Sequence, residues 1–364
     1  MANLLFVVHG MGIHHPPGTG DDAQHDWCYD IQEKLDEIAS HYEGFDMADF
    51  RFSKQVEIVP ITYDEPFRNL LAGWNREAAE LQKTIAEEGI KQAPSVIDWL
   101  AQVDGQAQET FFWSHVVDVL LYEFFNQVAK QIRLRVIDQI LDAIAAARAK
   151  SPVLYVTFLA HSLGTAVLHD SLALLSTQTR ASALEGPGFR FNALFMMANV
   201  SRILEDEIDP LRVYRSVVCP PNAMNRPRYF NNYWNVRHRL DPIPAVRPFG
   251  PVDWNSQYYR DIRLQNISRF NVHSFTHYLE DPEVHRPLIS FAAGRSSLVP
   301  KGEPYRPPTL PCLQVMQEFE RDARALMAMV QGQTTPFELI KAATQFLALA
   351  EKAKTACGRD SLDT

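Results

Sequence analysis

The sequence predicts an α/β protein with a mostly parallel sheet of about six strands, flanked by helices. Short apolar runs alternate along the chain with amphipathic segments of helical period, which is the pattern of strand–helix–strand units. The runs at 4–8, 153–160 and 191–200 are apolar at most consecutive positions, as expected for strands that are covered on both faces, whereas apolar positions alternate at 262–267. A hydrophobic fraction of 46% over 364 residues is sufficient for a large core.

The predicted elements follow one another in an order that supports this class. Strands are predicted at residues 4–8, 56–63, 153–160, 191–200, 233–238 and 262–267. Helices are predicted at residues 26–42, 128–150, 164–175, from about 282, and at 312–331 and 336–355. The helix near 282 places Pro282 in its first turn, where the missing N–H of proline is tolerated.

The spacing of these elements divides the chain into two parts. Residues 1–308 form the predicted α/β domain, and residues 309–364 form a C-terminal helical extension that begins with a Pro-rich stretch. Within the first part, residues 65–127 carry no strand signal and are predicted to be a helical cap insertion. The cap segment 111–125 is apolar on more than one helical face, which indicates either a lid over a site or a buried core helix.

Composition and charge exclude several classes of function. The formal net charge is −9 and the basic residues form no long cluster, which argues against a nucleic-acid partner. No apolar stretch approaches the length of a membrane span, and the run at 4–8 lacks the basic leader of a signal peptide. Cys28, Cys219, Cys312 and Cys357 are scattered without a CxxC pair, which predicts free thiols in a reducing compartment. We therefore expect a cytoplasmic protein without an integral membrane segment.

The most informative motif is Ala-His-Ser-Leu-Gly at residues 160–164, between a buried strand and a helix. Small residues on both sides of Ser162 allow strand and helix to approach closely at a sharp turn. This is the pattern of a nucleophile elbow, in which the serine occupies a strained turn with its hydroxyl exposed. Ala160 stands where glycine is usual, and alanine still fits there.

A serine nucleophile requires a base in contact with it and an acid that holds the base. The strand at 233–238 leads into Asp241, in a loop that Pro242 and Pro244 stiffen. This position makes Asp241 the candidate acid, although an Asp-Pro turn without a catalytic role has the same pattern. The acidic run at 205–209 is the rival position for the acid, and is otherwise a solvated loop.

Two histidines four residues apart are candidates for the base. His273 precedes Ser274, the predicted N-cap of a short helix, and so lies on the loop after the last predicted strand. His277 lies one helical turn later on the same face. The loop position favours His273, and the choice between the two stays open. His238 and His285 are predicted to be packing or surface residues.

Two backbone N–H groups are candidates for stabilising negative charge that develops near Ser162. Leu163, the residue after the serine, supplies the first. The second comes from His-Gly-Met-Gly at residues 9–12, where Met11 lies between two glycines that permit close approach of a substrate. A simple Gly-rich turn or a phosphate-binding loop is the alternative, but neither Gly-Lys-Ser/Thr nor the GxGxxG spacing follows.

Taken together, these motifs resemble those of lipase/esterase-type α/β-hydrolases over roughly residues 3–295. The loop at 9–12 resembles the HG-type oxyanion motif of that family, and 160–164 resembles its nucleophile motif. The stretch 234–248 is similar to acid-loop sequences of intracellular phospholipase-like and class 3 lipase-like hydrolases. Two features depart from the family pattern. The chain starts at what would be the third strand, and Tyr278 lies two residues late for the common His-Ser-x-Tyr-Trp pattern.

The resemblance implies a serine hydrolase that cleaves carboxylic esters of small molecules or lipids through an acyl-enzyme, without a cofactor. It implies that Ser162 attacks the ester, that one of the two candidate histidines activates the serine, and that the candidate acid holds this histidine. Thioester or amide hydrolysis is an alternative, as is a non-catalytic scaffold with residues 309–364 as a docking module. The histidines at 14–15 have no third ligand at a suitable spacing, so no metal site is expected.

Overall fold

The computed structural model of the protein describes residues 2–10, 27–63, 126–177, 191–202, 230–251, 254, 256–330 and 336–360. Met11, the histidines at 14–15 and the acidic run at 205–209 lie outside these residues, as does the predicted cap apart from its last two positions. The division into an α/β domain and a C-terminal extension stays a prediction.

A six-stranded sheet runs through the described residues, and every neighbouring pair of its strands is parallel. The prediction of an α/β protein with a mostly parallel sheet of about six strands is therefore confirmed. The strands are β1 (Ala2–Val8), β2 (Glu57–Ile61), β3 (Leu154–His161), β4 (Phe191–Met197), β5 (Phe230–His238) and β6 (Tyr259–Leu264). They lie side by side in the order β2-β1-β3-β4-β5-β6.

Helices flank the sheet and continue beyond its last strand. They are α1 (Trp27–Ser40), α2 (Phe52–Gln55), α3 (Asn126–Lys150), α4 (Leu163–Thr177), α5 (Phe275–Glu280), α6 (Pro282–Ala292), α7 (Leu313–Val330) and α8 (Pro336–Asp360). Apart from the short α2, which the sequence pattern did not indicate, they agree with the predicted helices to within a few residues. Ser274 caps α5, because its hydroxyl accepts a hydrogen bond from the N–H of His277 at 3.2 Å. Among the described helices, none is long and apolar enough to cross a membrane.

The sheet is covered on both faces by apolar side chains that alternate along the strands. On β1, Leu4, Phe6 and Val8 join a cluster with α3 and α4, whereas Leu5 and Val7 join a second cluster with α1 and α6. All five side chains are fully buried. Burial on both faces explains why this run is apolar at every position.

The direction in which strands are added to the sheet changes between β1 and β3. The chain passes from β1 to the edge strand β2 and then returns to the other side of β1, where β3 to β6 follow in sequence. Val8 and Ala160, near the carboxyl ends of β1 and β3, are paired in the register. The loops after these two strands therefore leave the sheet side by side, at the place where open α/β sheets bind ligands.

The prediction that the cysteines are free thiols is wrong for two of them. Cys312 and Cys357 form a disulfide, with their Cα atoms 5.4 Å apart. They are 45 residues apart in sequence and meet because packing of α7 against α8 brings the start of one helix next to the end of the other. Cys28 is buried and is not part of this disulfide, and Cys219 lies outside the described residues. The cysteines therefore no longer support a reducing, cytoplasmic location.

The disulfide should stabilise the fold by restricting the unfolded chain. We expect the double variant Cys312→Ser, Cys357→Ser to have a free energy of unfolding lower by about 4 kcal/mol, the loop-closure value for the 45-residue separation. Urea denaturation of the variant and of the wild-type protein, each with and without a thiol reductant, measures this difference. A wild-type unfolding midpoint that does not respond to the reductant would contradict the pairing.

Candidate active site

Ser162 lies on the turn between β3 and α4 in a strained backbone conformation. Its φ is +51°, in the left-handed region that costs about 1–2 kcal/mol for a residue with a side chain. The turn is held by hydrogen bonds: the N–H of Ser162 donates to the carbonyl of Met197 at 3.0 Å, and the N–H and hydroxyl of Thr165 donate to the carbonyl of Ser162 at 2.9 and 2.6 Å. Ala198, which follows β4 at the same edge of the sheet, also has a positive φ, of +48°.

The side chain of Ser162 is enclosed, contrary to the exposed hydroxyl that the motif predicts. Only 2% of the residue is exposed. Gly10 lies against it, since a Cβ at Gly10 would come within 3.1 Å of the Cβ of Ser162, and His273 contacts its hydroxyl. Shielding from bulk water strengthens the electrostatic interactions of the hydroxyl.

Gly164 has no room for a side chain. A Cβ at this position would overlap the carbonyl oxygen of His9 and lie 2.9 Å from that of Val8. The first turn of α4 therefore rests directly on the end of β1, and the serine turn lies beside the loop that follows β1. Ala160, where the motif usually has glycine, is fully buried within the sheet.

Ser162, His273 and Asp241 form a continuous chain of hydrogen bonds. Nε2 of His273 lies 3.0 Å from Oγ of Ser162, and Nδ1 lies 2.8 Å from Oδ2 of Asp241. All three side chains are buried. With its proton on Nδ1, the imidazole donates to the carboxylate and presents Nε2 as an acceptor to the serine. The three residues follow β3, β6 and β5, so the carboxyl edge of the sheet brings them together.

Asp241 is fully buried and charged. Burial by itself would raise the pKa of this carboxyl, but the electrostatic attraction of His273 and the hydrogen bonds from His273, Tyr278 and Ile243 hold the pKa below its usual value. The N–H of Ile243 donates to Oδ1 at 3.1 Å, and the hydroxyl of Tyr278 donates to Oδ2 at 2.8 Å. A charged carboxylate here keeps the proton of His273 on Nδ1.

His277, one helical turn further on, faces a different group. Its Nδ1 lies 2.8 Å from the hydroxyl of Ser268, and its ring packs edge-to-face on that of His238, with 5.0 Å between centroids. Burial, together with the neighbouring His238, lowers the pKa of His277 to about 3. Burial also lowers the pKa of His238 to about 4. Of the two candidate histidines, His273 is the one in contact with the serine.

The loop after β1 is held by a tyrosine that lies just beyond β2. The hydroxyl of Tyr63 lies 2.9 Å from the carbonyl oxygens of both His9 and Gly10, and its ring stacks on that of His9. Nδ1 of His9 lies 2.7 Å from the carbonyl of Gly10. Met11, one predicted donor to a developing negative charge, lies outside the described residues. Leu163, the other, is the first residue of α4, where N–H groups have no intrahelical acceptor.

Three residues that the motifs do not single out also hold the site, namely His161, Tyr63 and Tyr278. Nε2 of His161 lies 2.7 Å from the carbonyl oxygen of His273 and so anchors the backbone of the loop that carries His273. Each of the three has its partner at least 37 residues away in sequence. A local sequence pattern carries no signal for such contacts. Tyr278 stands out in the sequence only because it departs from the His-Ser-x-Tyr-Trp pattern.

The sequence matches no model of a known protein family and no curated protein. Within the described part of the chain, no group of three or more His, Cys, Asp and Glu side chains is arranged to hold a metal ion. The chemistry of the site is therefore inferred from its own geometry.

The contact between α4 and β1 can be tested at Gly164. We expect Gly164→Ala to lower the free energy of unfolding by about 3 kcal/mol, because the new methyl group overlaps the packed backbone at His9. Gly250→Ala is the matched control, since no atom of the described residues, apart from its own chain neighbours, lies within 4 Å of its Cβ position, and it should change stability by less than about 0.5 kcal/mol. Urea denaturation compares them, and equal stability would show that α4 does not rest on β1 as described.

Proposed function

We propose that the protein is a serine hydrolase that cleaves carboxylic esters through an acyl-enzyme. The observation that carries this proposal is the hydrogen-bonded chain from Ser162 through His273 to Asp241. A serine hydroxyl alone is a weak nucleophile, and a base in contact with an acid that orients it is the arrangement that activates such a hydroxyl. The strained turn at Ser162 adds support, since backbone strain concentrates at functional sites.

We also propose that the fold is that of the α/β-hydrolases. The strand order β2-β1-β3-β4-β5-β6 supports this, as does a nucleophile directly after β3, beside the point where the order reverses. The order of nucleophile, acid and histidine along the chain is also that of the family. Residues 65–127 are a proposed helical cap over this site, and residues 309–364 a proposed helical extension.

In the proposed reaction, Oγ of Ser162 attacks the carbonyl carbon of the ester while Nε2 of His273 takes the hydroxyl proton. Backbone N–H groups stabilise the negative charge on the carbonyl oxygen, and Leu163 and Met11 are the candidates. The tetrahedral intermediate expels the alcohol, which receives the proton from His273, and an acyl group remains on Ser162. Water, deprotonated by His273, then attacks the acyl group, and the acid is released as Ser162 regains its proton.

Asp241 acts in this reaction through His273. Its charge stabilises the imidazolium that forms when His273 takes a proton, and its Oδ2 keeps Nε2 directed at the serine. Burial strengthens the interaction, because water does not screen it. His277 is unsuited to the same role, since it faces Ser268 and its low pKa, about 3, makes it a weak base.

The proposed substrates are carboxylic esters of small molecules or lipids, and the reaction needs no cofactor. Thioesters and amides are alternatives, because the same groups act on their carbonyls. A non-catalytic scaffold is the second candidate function, and it is disfavoured because neither the strained Ser162 nor the buried charge of Asp241 serves packing. The net charge of −9 makes a polyanionic partner unfavourable.

The proposed roles of the serine and the histidine can be tested by substitution. We expect Ser162→Ala and His273→Ala each to lower kcat by about 10⁴-fold, because residues in such a chain act as a unit. His277→Gln is the matched control, a buried histidine on the following helix that faces Ser268, and its kcat should stay close to that of the wild-type protein. Turnover of a short-chain nitrophenyl ester measures all three, and a His273→Ala variant with wild-type turnover would remove His273 from the base role.

A fluorophosphonate probe tests the nucleophile in the same set of variants without a substrate. The probe labels activated serines, so we expect it to label the wild-type protein and to leave Ser162→Ala unlabelled. Failure of the folded wild-type protein to react would rule out the proposed activity and favour the scaffold.

Substrate class can be tested with matched esters, thioesters and anilides of graded acyl length. We expect kcat/KM to be higher for the esters than for the anilides, because the alkoxide of an ester leaves more readily than the amine of an anilide. Within the esters, kcat/KM that rises with acyl length would support a lipid substrate and an apolar cap. Faster hydrolysis of the anilides would move the assignment to an amidase.

A further inference from the structure

The hydrogen-bonded chain at the site does not end at Asp241. The hydroxyl of Tyr278 donates to Oδ2 of Asp241 at 2.8 Å, and this oxygen also lies 2.8 Å from Nδ1 of His273. The backbone N–H of His238 donates in turn to the hydroxyl of Tyr278 at 3.0 Å. A continuous chain therefore runs from the backbone of β5 through a tyrosine and an aspartate to the histidine and the serine.

Tyr278 reaches the carboxylate from a well-packed position. It lies in α5, and its side chain is fully buried in the core cluster that includes α1 and α6. The other oxygen of Asp241, Oδ1, accepts from the N–H of Ile243. Each carboxylate oxygen thus has a donor besides His273, which orients the carboxylate plane independently of the imidazole. A phenol that shares one oxygen with His273 also takes up part of the negative charge on that oxygen.

We propose that Tyr278 is a positioning residue of the Ser162 site, which orients Asp241 and limits how strongly its charge holds a proton on His273. The proposal rests on the proposed function, because it assigns the base role to His273. Without the phenol, more of the carboxylate charge falls on the bond to His273. The protonated imidazole is then favoured, and a protonated imidazole cannot accept the proton of the serine. A protein without this phenol is therefore expected to lose activity at a higher pH than the wild-type protein as the pH is lowered.

Other titratable or charged groups face this tyrosine and its aspartate from β3, β5 and α5, namely His161, Arg237, His238 and His277. Burial lowers the pKa of His238 to about 4 and that of His277 to about 3, so both are neutral between pH 5 and 9. Arg237 is charged throughout this range. His161 is present in the wild-type protein and in each variant, so its contribution is common to all of their pH profiles of kcat/KM. A difference between the pH profiles of the wild-type protein and a Tyr278 variant therefore reports the effect of the phenol.

Tyr278→Phe removes the hydroxyl and keeps the ring. We expect kcat/KM for a nitrophenyl ester to fall about tenfold at the optimum, and the acid limb of its pH profile to move about half a unit to higher pH. Tyr42→Phe is the matched control, because it removes a fully buried hydroxyl of the same cluster, which bonds to Nε2 of His285 at 2.8 Å. It should cost stability and keep the wild-type profile. A Tyr278→Phe variant that loses stability but keeps wild-type kcat/KM and acid limb would overturn the proposal.

A second variant covers the case in which Tyr278→Phe does not fold. Incorporation of 3-fluorotyrosine at position 278 keeps the shape of the side chain and makes the phenol a stronger donor. The acid limb should then move to lower pH, opposite to the shift expected for phenylalanine. No shift, or a shift to higher pH, would contradict the proposed role.

The NMR signal of the Nδ1 proton of His273 tests the same role without turnover. It reports the bond to Asp241, and we expect it to move downfield in Tyr278→Phe as that bond strengthens. If the wild-type protein hydrolyses no ester while this signal moves, the proposed function fails, and the effect of Tyr278 on the bond between Asp241 and His273 is still supported. An unchanged signal in an active protein would overturn the role of Tyr278 alone.

Discussion

A buried negative charge at Asp241 is the constraint on which the rest of the site depends. Removing a carboxylate from water costs several kcal/mol unless other donors replace the lost hydration. Three donors from different segments do so: Nδ1 of His273, the hydroxyl of Tyr278 and the N–H of Ile243. Satisfying this charge ties the loops after β5 and β6 and the helix α5 into one arrangement. The direction of the imidazole toward the serine is a consequence of that arrangement.

The C-terminal helices contact the loops that carry this charge. Phe319 of α7 packs edge-to-face on Phe270, with 5.3 Å between ring centroids, three residues before His273. Glu320, the next residue of α7, forms an ion pair with Arg239, in the loop that carries Asp241. The disulfide joins the start of α7 to the end of α8. Segments far from the sheet in sequence therefore support both the loop that carries Asp241 and the loop that carries His273.

The fold class and the candidate nucleophile could be predicted from the sequence, because both depend on neighbours along the chain. Burial on both faces makes a strand such as β1 apolar at every position, and this is visible without a structure. The strained turn at Ser162 needs small neighbours, and Gly164 is one of them because its Cβ would overlap a backbone carbonyl. Asp241 also had a local signal, as a carboxylate directly beyond a strand end.

The sequence by itself thus determined the class of fold and the residues that stand at the ends of its strands. Only the tertiary structure decided which of them meet. His273 and His277 share one local pattern, and packing alone directs the first toward Ser162 and the second toward Ser268. Packing alone also brings Tyr278 to Asp241 and Cys312 to Cys357. These partners lie between 9 and 111 residues apart, and contacts over such separations are set by the packing of strands and helices, which a local pattern does not record.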